Sequence, residues 1–255
     1  VMFLRAFDKE LKVLDAMTAT GSRAVRIANE APKTNVTAND ISAYAIPFIE
    51  KNIEINGVTN CTPSNRNLHS ILAENIYDYI DIDPFGSPMP FLHSAIQGAR
   101  RHGYLAITAT DAAPLAGAHR AKCERRYQVR PLRGIMCHEA GLRILIGTMA
   151  REMAKFDKGL RPMLSFSADH YFRTYLQVMD GANNADEALK NLIYIAFDPV
   201  TLERSYSYEP DKEHIYGPFW GGRLFDKEHL AKMDAHDTCV ERKCNKYLDL
   251  WKEEI

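Results

Sequence analysis

Between Leu11 and Asp111 strand-like and helix-like segments alternate along the chain, an order that suits a doubly wound α/β sheet and few other folds. Residues 11–17 form an apolar run bounded by charge, followed by the small-residue loop Thr18-Ala19-Thr20-Gly21. Ser22 is placed to cap the helix that opens with Arg23. Residues 35–41 read as a second strand, and residues 43–55 as a helix with Phe48, Ile49 and Ile53 at helical spacing. A short third strand at residues 62–65 precedes a helix through Leu68, Ile71 and Leu72. Residues 77–83 alternate at period two and stop at Pro84. Residues 90–101 read as a helix and residues 103–111 as the fifth strand. The expected fold class is α/β, with a mostly parallel sheet.

Past Arg133 the pattern changes. A long helix is expected over residues 138–156, with Leu142, Leu145, Ile146, Met149 and Met153 along one stripe. Lys158-Gly159-Leu160-Arg161-Pro162 combines a helix-ending glycine with a proline and predicts a boundary. Residues 1–158 are therefore expected as the main domain and residues 159–255 as a smaller α+β domain ending in an amphipathic helix. The opening residues look like an element cut into, so the chain is expected to be part of a longer protein.

Composition narrows the class. No run of about 18 apolar residues occurs, so no membrane span is expected. Five cysteines without paired short spacing suit a cytoplasmic protein with free thiols better than a disulfide framework, and no metal site is expected from them. The net charge of −1 hides a basic block. Between Gln97 and Arg133 eight Lys and Arg (100, 101, 120, 122, 125, 126, 130 and 133) stand against Asp111 and Glu124, a net +6. Such a block suits an anionic partner or a solvated face.

Open parallel sheets bind ligands at the carboxyl ends of their strands. The first strand ends in Asp15 and a loop containing Gly21, which lets a ligand approach the backbone. The second ends in Asp40, where an acid can accept two hydrogen bonds from a ribose diol or can cap a helix. No full G-x-G-x-x-G is present, so a ligand with a ribose and no phosphate, such as S-adenosylmethionine, fits better than a dinucleotide. The fourth strand ends in Asp83-Pro84-Phe85-Gly86-Ser87-Pro88. A carboxylate beside an aromatic ring there suits a planar base carrying an exocyclic amine.

These motifs, with Thr108-Ala109-Thr110-Asp111, Pro131-Leu132-Arg133-Gly134, the run from His138 to Leu145, Asp169-His170-Tyr171-Phe172-Arg173 and Tyr216-Gly217-Pro218-Phe219-Trp220, occur in one order along the chain. In that order the chain resembles the archaeal form of the tRNA (guanine-26, N2) dimethyltransferase family. The resemblance implies the Rossmann-like fold of class I S-adenosylmethionine-dependent methyltransferases, with that cofactor, and tRNA as partner. It implies cofactor contacts from Asp15, Gly21, Arg23, Asp40, Ile41, Asn67 and Leu68. Asp83, Pro84 and Phe85 become the catalytic residues, and Arg120, Arg125, Arg126 and Arg130 contacts to the RNA. Asn67 stands where relatives carry an aspartate that holds the adenine amine; its carbonyl oxygen can still accept. A further cofactor-contacting Asn-Arg-Asp segment is expected before Val1. The zinc ribbon of some relatives has no counterpart, since residues 198–214 contain no cysteine, and Ala116 replaces a cysteine common in relatives. His138 and Arg143 read as fold residues. The segment His170-Tyr171-Phe172-Arg173 could touch tRNA or seat the second domain.

Guanine N2 is a poor nucleophile because its lone pair is delocalised into the ring. A carboxylate bonded to the amine gains importance as positive charge develops on nitrogen, and can take the proton, assistance typically worth about 10²–10⁴ in rate. The residues also admit methylation of an adenine or cytosine amine, a nicotinamide-dependent oxidoreductase, or an RNA-binding module without catalysis. No obligate protein partner is evident.

Overall fold

The computed structural model describes residues 1–253. A short helix α1 (Met2–Arg5) precedes β1 (Leu11–Asp15), α2 (Ser22–Glu30), β2 (Thr34–Asn39), α3 (Ile46–Ile55), β3 (Cys61–Ser64), α4 (Leu68–Glu74), β4 (Tyr77–Ile82), α5 (Leu92–Gly98) and β5 (Ala99–Ala109). Next come α6 (Ala112–Leu115), α7 (Arg120–Tyr127), α8 (Cys137–Ala154), β6 (Lys158–Ala168), β7 (Tyr171–Asp180) and α9 (Ala182–Lys190). The chain continues through β8 (Leu192–Phe197), β9 (Arg204–Ser207), β10 (Tyr216–Trp220), α10 (Lys227–Lys232) and α11 (Glu241–Glu253). The last two residues of the expected C-terminal helix lie outside the described residues.

Seven strands form one sheet in the order β3-β2-β1-β4-β5-β7-β6. The first five are parallel, while β7 runs antiparallel to β5 and β6 antiparallel to β7. Successive residues on the inner strands serve opposite faces, and both faces are covered. Leu14, Ile80 and Leu105 pack with α4, α5 and α8. Their neighbours Val13, Tyr79 and Ala106 pack with α2, α3, α10 and α11. Burying helices on both faces is the doubly wound arrangement expected from the alternation.

Three expectations need correction. Residues 159–255 were expected as a second, smaller domain, yet β6 and β7 complete the main sheet. The three-stranded sheet β10-β8-β9 does not build a core apart either, since Phe219 and Trp220 enter the cluster containing α8 and the central strands. The helix expected over residues 90–101 ends at Gly98, where a Cβ would meet Leu72 at 2.5 Å; β5 starts at the next residue, pairing Ala99 with Tyr77. Ser22 is the first helical residue rather than the cap of α2; the cap is Gly21, in the left-handed region at φ 83°. Among the described residues no helix is long and apolar enough to cross a membrane, and no cluster of three His, Cys, Asp or Glu could hold a metal. The five cysteines are free.

Candidate active site

Strand register gathers a charged row at the carboxyl edge of the sheet, on the face covered by α2. Asp15 of β1 lies level with Asp81 of β4, Asp81 with Ala106 of β5, and Ala106 with Tyr175 of β7. One pleat further on, Thr108 of β5 faces Arg173 of β7, and Asp83 follows the last residue of β4. Because side chains two apart on a strand share a face, these groups converge. Of these, Asp81, Asp83, Thr108, Arg173 and Tyr175 line a cavity of about 490 Å³ together with Ser22, Tyr79 and Thr110. A larger cavity of about 700 Å³ opens between α8, β6 and α11, away from the strand ends except that Phe166 borders both.

Arg23 and Arg173 organise the row. Arg23 reaches down from α2 and binds buried Asp15 through Nη2 at 2.8 Å and Nε at 3.2 Å. Its Nη1 donates to Asp83 Oδ2 and lies 3.5 Å from Asp81 Oδ1. Arg173 is buried and donates to Asp81 Oδ2 at 2.5 Å, to Thr108 Oγ1 at 2.5 Å and to the Tyr175 hydroxyl at 2.9 Å. Ala106, between the two in the row, carries only a methyl, so the long Arg173 side chain crosses β5 to reach β4. Tyr79 donates its hydroxyl to the same Asp81 oxygen at 2.9 Å. Burial pushes the Asp81 carboxyl up, but the Arg173 and Arg23 guanidiniums outweigh it and hold the group below its ordinary value. Burial wins at Asp15, whose carboxyl is raised despite Arg23 and the 2.7 Å hydrogen bond from Thr18. Thus three acids share two guanidiniums, and of the two buried ones Asp81 is the carboxyl held below its ordinary value.

Asp83 is partly open, its side chain 31% exposed, and its second oxygen takes no hydrogen bond among the described residues. Phe85, two residues on, is fully solvent-exposed at 106%, whereas Pro84 is buried. The loop carrying them is fastened from β5. Thr110 Oγ1 donates to the Pro84 carbonyl at 3.2 Å and accepts from the Gly86 N–H at 2.5 Å, while the Thr110 N–H donates to the Gly86 carbonyl at 2.9 Å. From the other side, the Tyr127 hydroxyl of α7 lies 3.0 Å from Ser87 Oγ and donates to Asp111 at 2.7 Å. Asp111 also receives Arg126 at 2.6 Å. The acid-Pro-aromatic segment is therefore held rigidly while its two functional groups face outward.

The expected cofactor residues divide into two groups. Asp40 stands past the end of β2, each carboxylate oxygen accepting one backbone N–H at 2.9 Å, from Ala19 and from Ser42. A carboxylate oxygen has capacity for two, so Asp40 keeps room for a diol. Ile41 is exposed beside it. Asn67 is exposed and caps α4, its carbonyl oxygen accepting from the His69 N–H at 2.9 Å. Asp15 and Leu68, by contrast, bury their side chains: Asp15 anchors Thr18 and Arg23, and Leu68 belongs to the core. Gly21 meets Ile49 of α3, so its missing side chain serves helix packing at least as directly as ligand approach.

The basic block does not form one patch. Arg100 pairs with Asp78 at 2.8 Å, and it and Arg101 begin β5, at the edge opposite the site. On α7, Arg120 pairs with Glu124 at 2.7 Å and Arg126 with Asp111, leaving Arg125 exposed. Arg130 lies over the Tyr216 ring, 5.4 Å from its centroid. Helix α7 nevertheless adjoins the Asp83 loop through Tyr127. Arg143, read as a fold residue, donates to the carbonyls of Trp220 at 2.7 Å and Gly222 at 3.0 Å, fastening α8 to the segment after β10. His138 is exposed, and His170 sits exposed in the β6–β7 turn. Sequence reasoning assigned no role to Asp81, and to Arg173, as part of the segment from His170, only contact with tRNA or seating of the second domain. Their signal was present, as charges at inner-strand positions that a structural strand would fill with apolar residues.

Comparison with known proteins adds an independent line. A family model described as N2,N2-dimethylguanosine tRNA methyltransferase matches residues 2–255. A tRNA (guanine(26)-N(2))-dimethyltransferase of Pyrococcus abyssi is 43% identical over 244 residues, 87% of this chain and 63% of that protein. One from Pyrococcus horikoshii is 40% identical over 252 residues, covering 91% and 66%. The chain thus spans about two thirds of the length of these curated relatives. The solved structure of Trm1 from Pyrococcus horikoshii with S-adenosyl-L-methionine superposes on all of this chain and 74% of its own, with a TM-score of 0.93 at 38% identity. The sheet described above is that of a class I methyltransferase.

Proposed function

The chain belongs to the N2,N2-dimethylguanosine tRNA methyltransferase family, and from that premise we propose that it moves methyl groups from S-adenosylmethionine to the exocyclic N2 of guanine 26 in tRNA, giving mono- and dimethylguanine, in the cytoplasm. The observation that carries the reading is the Asp83 loop: a carboxylate with one free oxygen, two residues before an exposed ring, on a segment clamped by Thr110 and Tyr127.

The residues present fit the cofactor. Asp40 retains acceptor capacity for a ribose diol, Ile41 offers an apolar surface next to it, and the Asn67 carbonyl can accept from an adenine amine. When bound, the cofactor supplies a methyl group on a positively charged sulfur, which departs as a neutral thioether. Asp83 accepts an N2–H of the target guanine while Phe85 stacks on the unstacked base. The Pro84 carbonyl, which has a second lone pair beyond the bond from Thr110, orients the amine. As N2 gives its lone pair to the methyl carbon and becomes cationic, Asp83 takes the proton. The monomethylated amine keeps one hydrogen, so the same residues serve a second round. Helix α7, tied to this loop, offers Arg120, Arg125 and Arg126 to the RNA backbone, with Arg130 just past its end.

The test is nucleoside analysis by mass spectrometry after incubating the full-length protein with unmodified tRNA and S-adenosylmethionine. N2-methylguanosine and N2,N2-dimethylguanosine mapping to position 26 are expected. Unmodified guanosine, or methyl groups on adenosine or cytidine, would overturn the reading.

A further inference from the structure

Asp81 is buried and ends in two differently treated oxygens. Oδ2 receives both the Arg173 guanidinium and the Tyr79 hydroxyl. Oδ1 is buried without any hydrogen bond, an expensive state for a buried carboxylate oxygen. Arg23 Nη1 lies 3.5 Å from that oxygen, and Nη1 is already donating to Asp83. The same nitrogen therefore stands between one acceptor it holds and one it leaves unsatisfied. Its other nitrogens are pinned on Asp15, which provides a pivot.

Resting on the functional reading above, we propose that Asp81, with Arg173 and Tyr79 behind it, is a positioning residue that serves as the second seat for Arg23. With the site free, Nη1 sits on Asp83. When the guanine amine arrives and competes for the Asp83 carboxylate, Nη1 shifts to Asp81 Oδ1. The exchange leaves no buried charge without a partner: Asp83 trades a guanidinium for the amine, and Asp81 gains the bond it lacks. Without the second seat, Arg23 would keep its hold on Asp83, blunting that carboxylate as acceptor for the N2 proton. Arg173 matters because it and Tyr79 hold the Asp81 carboxylate with Oδ1 facing Arg23. Small differences between two seats of one cation suffice, since the arriving substrate need shift the balance only by its own interaction with Asp83.

The test is a double-mutant cycle in the full-length protein, read as single-turnover methyl transfer to unmodified tRNA at saturating cofactor. Asp81→Asn removes the charge of the second seat and is expected to slow transfer about tenfold. In an Arg23→Gln background, where nothing has to move, the same substitution should cost less than about twofold. An Asp81 that merely supports the fold would cost the same factor in both backgrounds, and that result would overturn the proposal. Tyr79→Phe is the gentler second variant in case Asp81→Asn does not fold. It removes one donor to Oδ2, and its effect of about threefold should likewise vanish with Arg23→Gln. A threefold loss that persists with Arg23→Gln would also overturn the exchange. A wild type that transfers no methyl to guanine N2 would instead remove the functional reading, and with it the step Asp81 serves.

Discussion

Replacing Asp83 by alanine separates chemistry from architecture because the structure assigns the residue little structural work. Its side chain is 31% exposed and that of its partner Arg23 is 29% exposed, so solvent screens the pair. Arg23 keeps both contacts to Asp15 after the change and can turn Nη1 to Asp81 Oδ1. The stability loss should therefore stay near about 1 kcal/mol, a fall of about 2–4 °C in melting temperature for a chain of this size. The effect on rate is of another order. Losing the acceptor of the N2 proton should slow transfer by at least about 10²-fold, or about 2.7 kcal/mol of barrier. Affinities for S-adenosylmethionine and tRNA should change little, because the contribution lies in the transition state. Single-turnover transfer at saturating cofactor, with a thermal melt beside it, reads both quantities. A variant that keeps a tenth of the wild-type rate refutes the assignment, as does one whose inactivity is explained by unfolding.

Asp40→Ala should weaken S-adenosylmethionine binding by about 1–3 kcal/mol in a calorimetric titration; unchanged affinity of the folded variant would take Asp40 out of the site. Arg125→Ala should lower the slope of log K for tRNA against log salt by about one phosphate contact, whereas Arg126→Ala should also lower the melting temperature because it strips the partner from Asp111. Gly21→Ala should destabilise the fold by about 1 kcal/mol or more, since φ is 83° and a Cβ would press on Ile49 at 3.3 Å; a melt equal to wild type would contradict this. Burial lowers His229 from 6.5 to about 4, against Phe3 and Phe7. In that window the unfolded chain binds the extra proton, so stability should fall as pH drops from 6.5 towards 4, by at most about 1.4 kcal/mol per unit, and His229→Leu should flatten that slope in urea titrations.

The parts of the site legible in the sequence are those fixed by position along a single element. Asp40 and Asp83 follow the last residues of parallel strands, and such ends are recognisable from local pattern alone. The Lys158-to-Pro162 segment shows why the boundary there was misread. Gly159 is glycine because a Cβ would sit 2.1 Å from the Asn184 carbonyl oxygen, a close approach of β6 to α9. Pro162 is tolerated because β6 is an edge strand whose register shifts between Pro162 and Leu164. Both residues punctuate a strand, although locally they look like the end of a helix.

The pairing of Arg173 with Asp81 was illegible for a different reason. Their partnership depends on β7, a strand that follows β5 by more than 60 residues, inserting antiparallel beside it with Thr108 opposite Arg173. No local period encodes that register. The basic block fails in the same way, since its sum of charges says nothing about which are spent. Asp78 neutralises Arg100 from outside the block, Glu124 takes Arg120 along the same helix, and Asp111 takes Arg126 while holding Tyr127 beside the Asp83 loop. What remains beside the site is a short helix with few free cations, so electrostatic attraction to RNA there must be weaker than the net +6 suggests. Under the proposed reading, orientation of the target base falls chiefly to the clamped Asp83-Pro84-Phe85 segment, which Thr110 and Tyr127 fasten by hydrogen bonds.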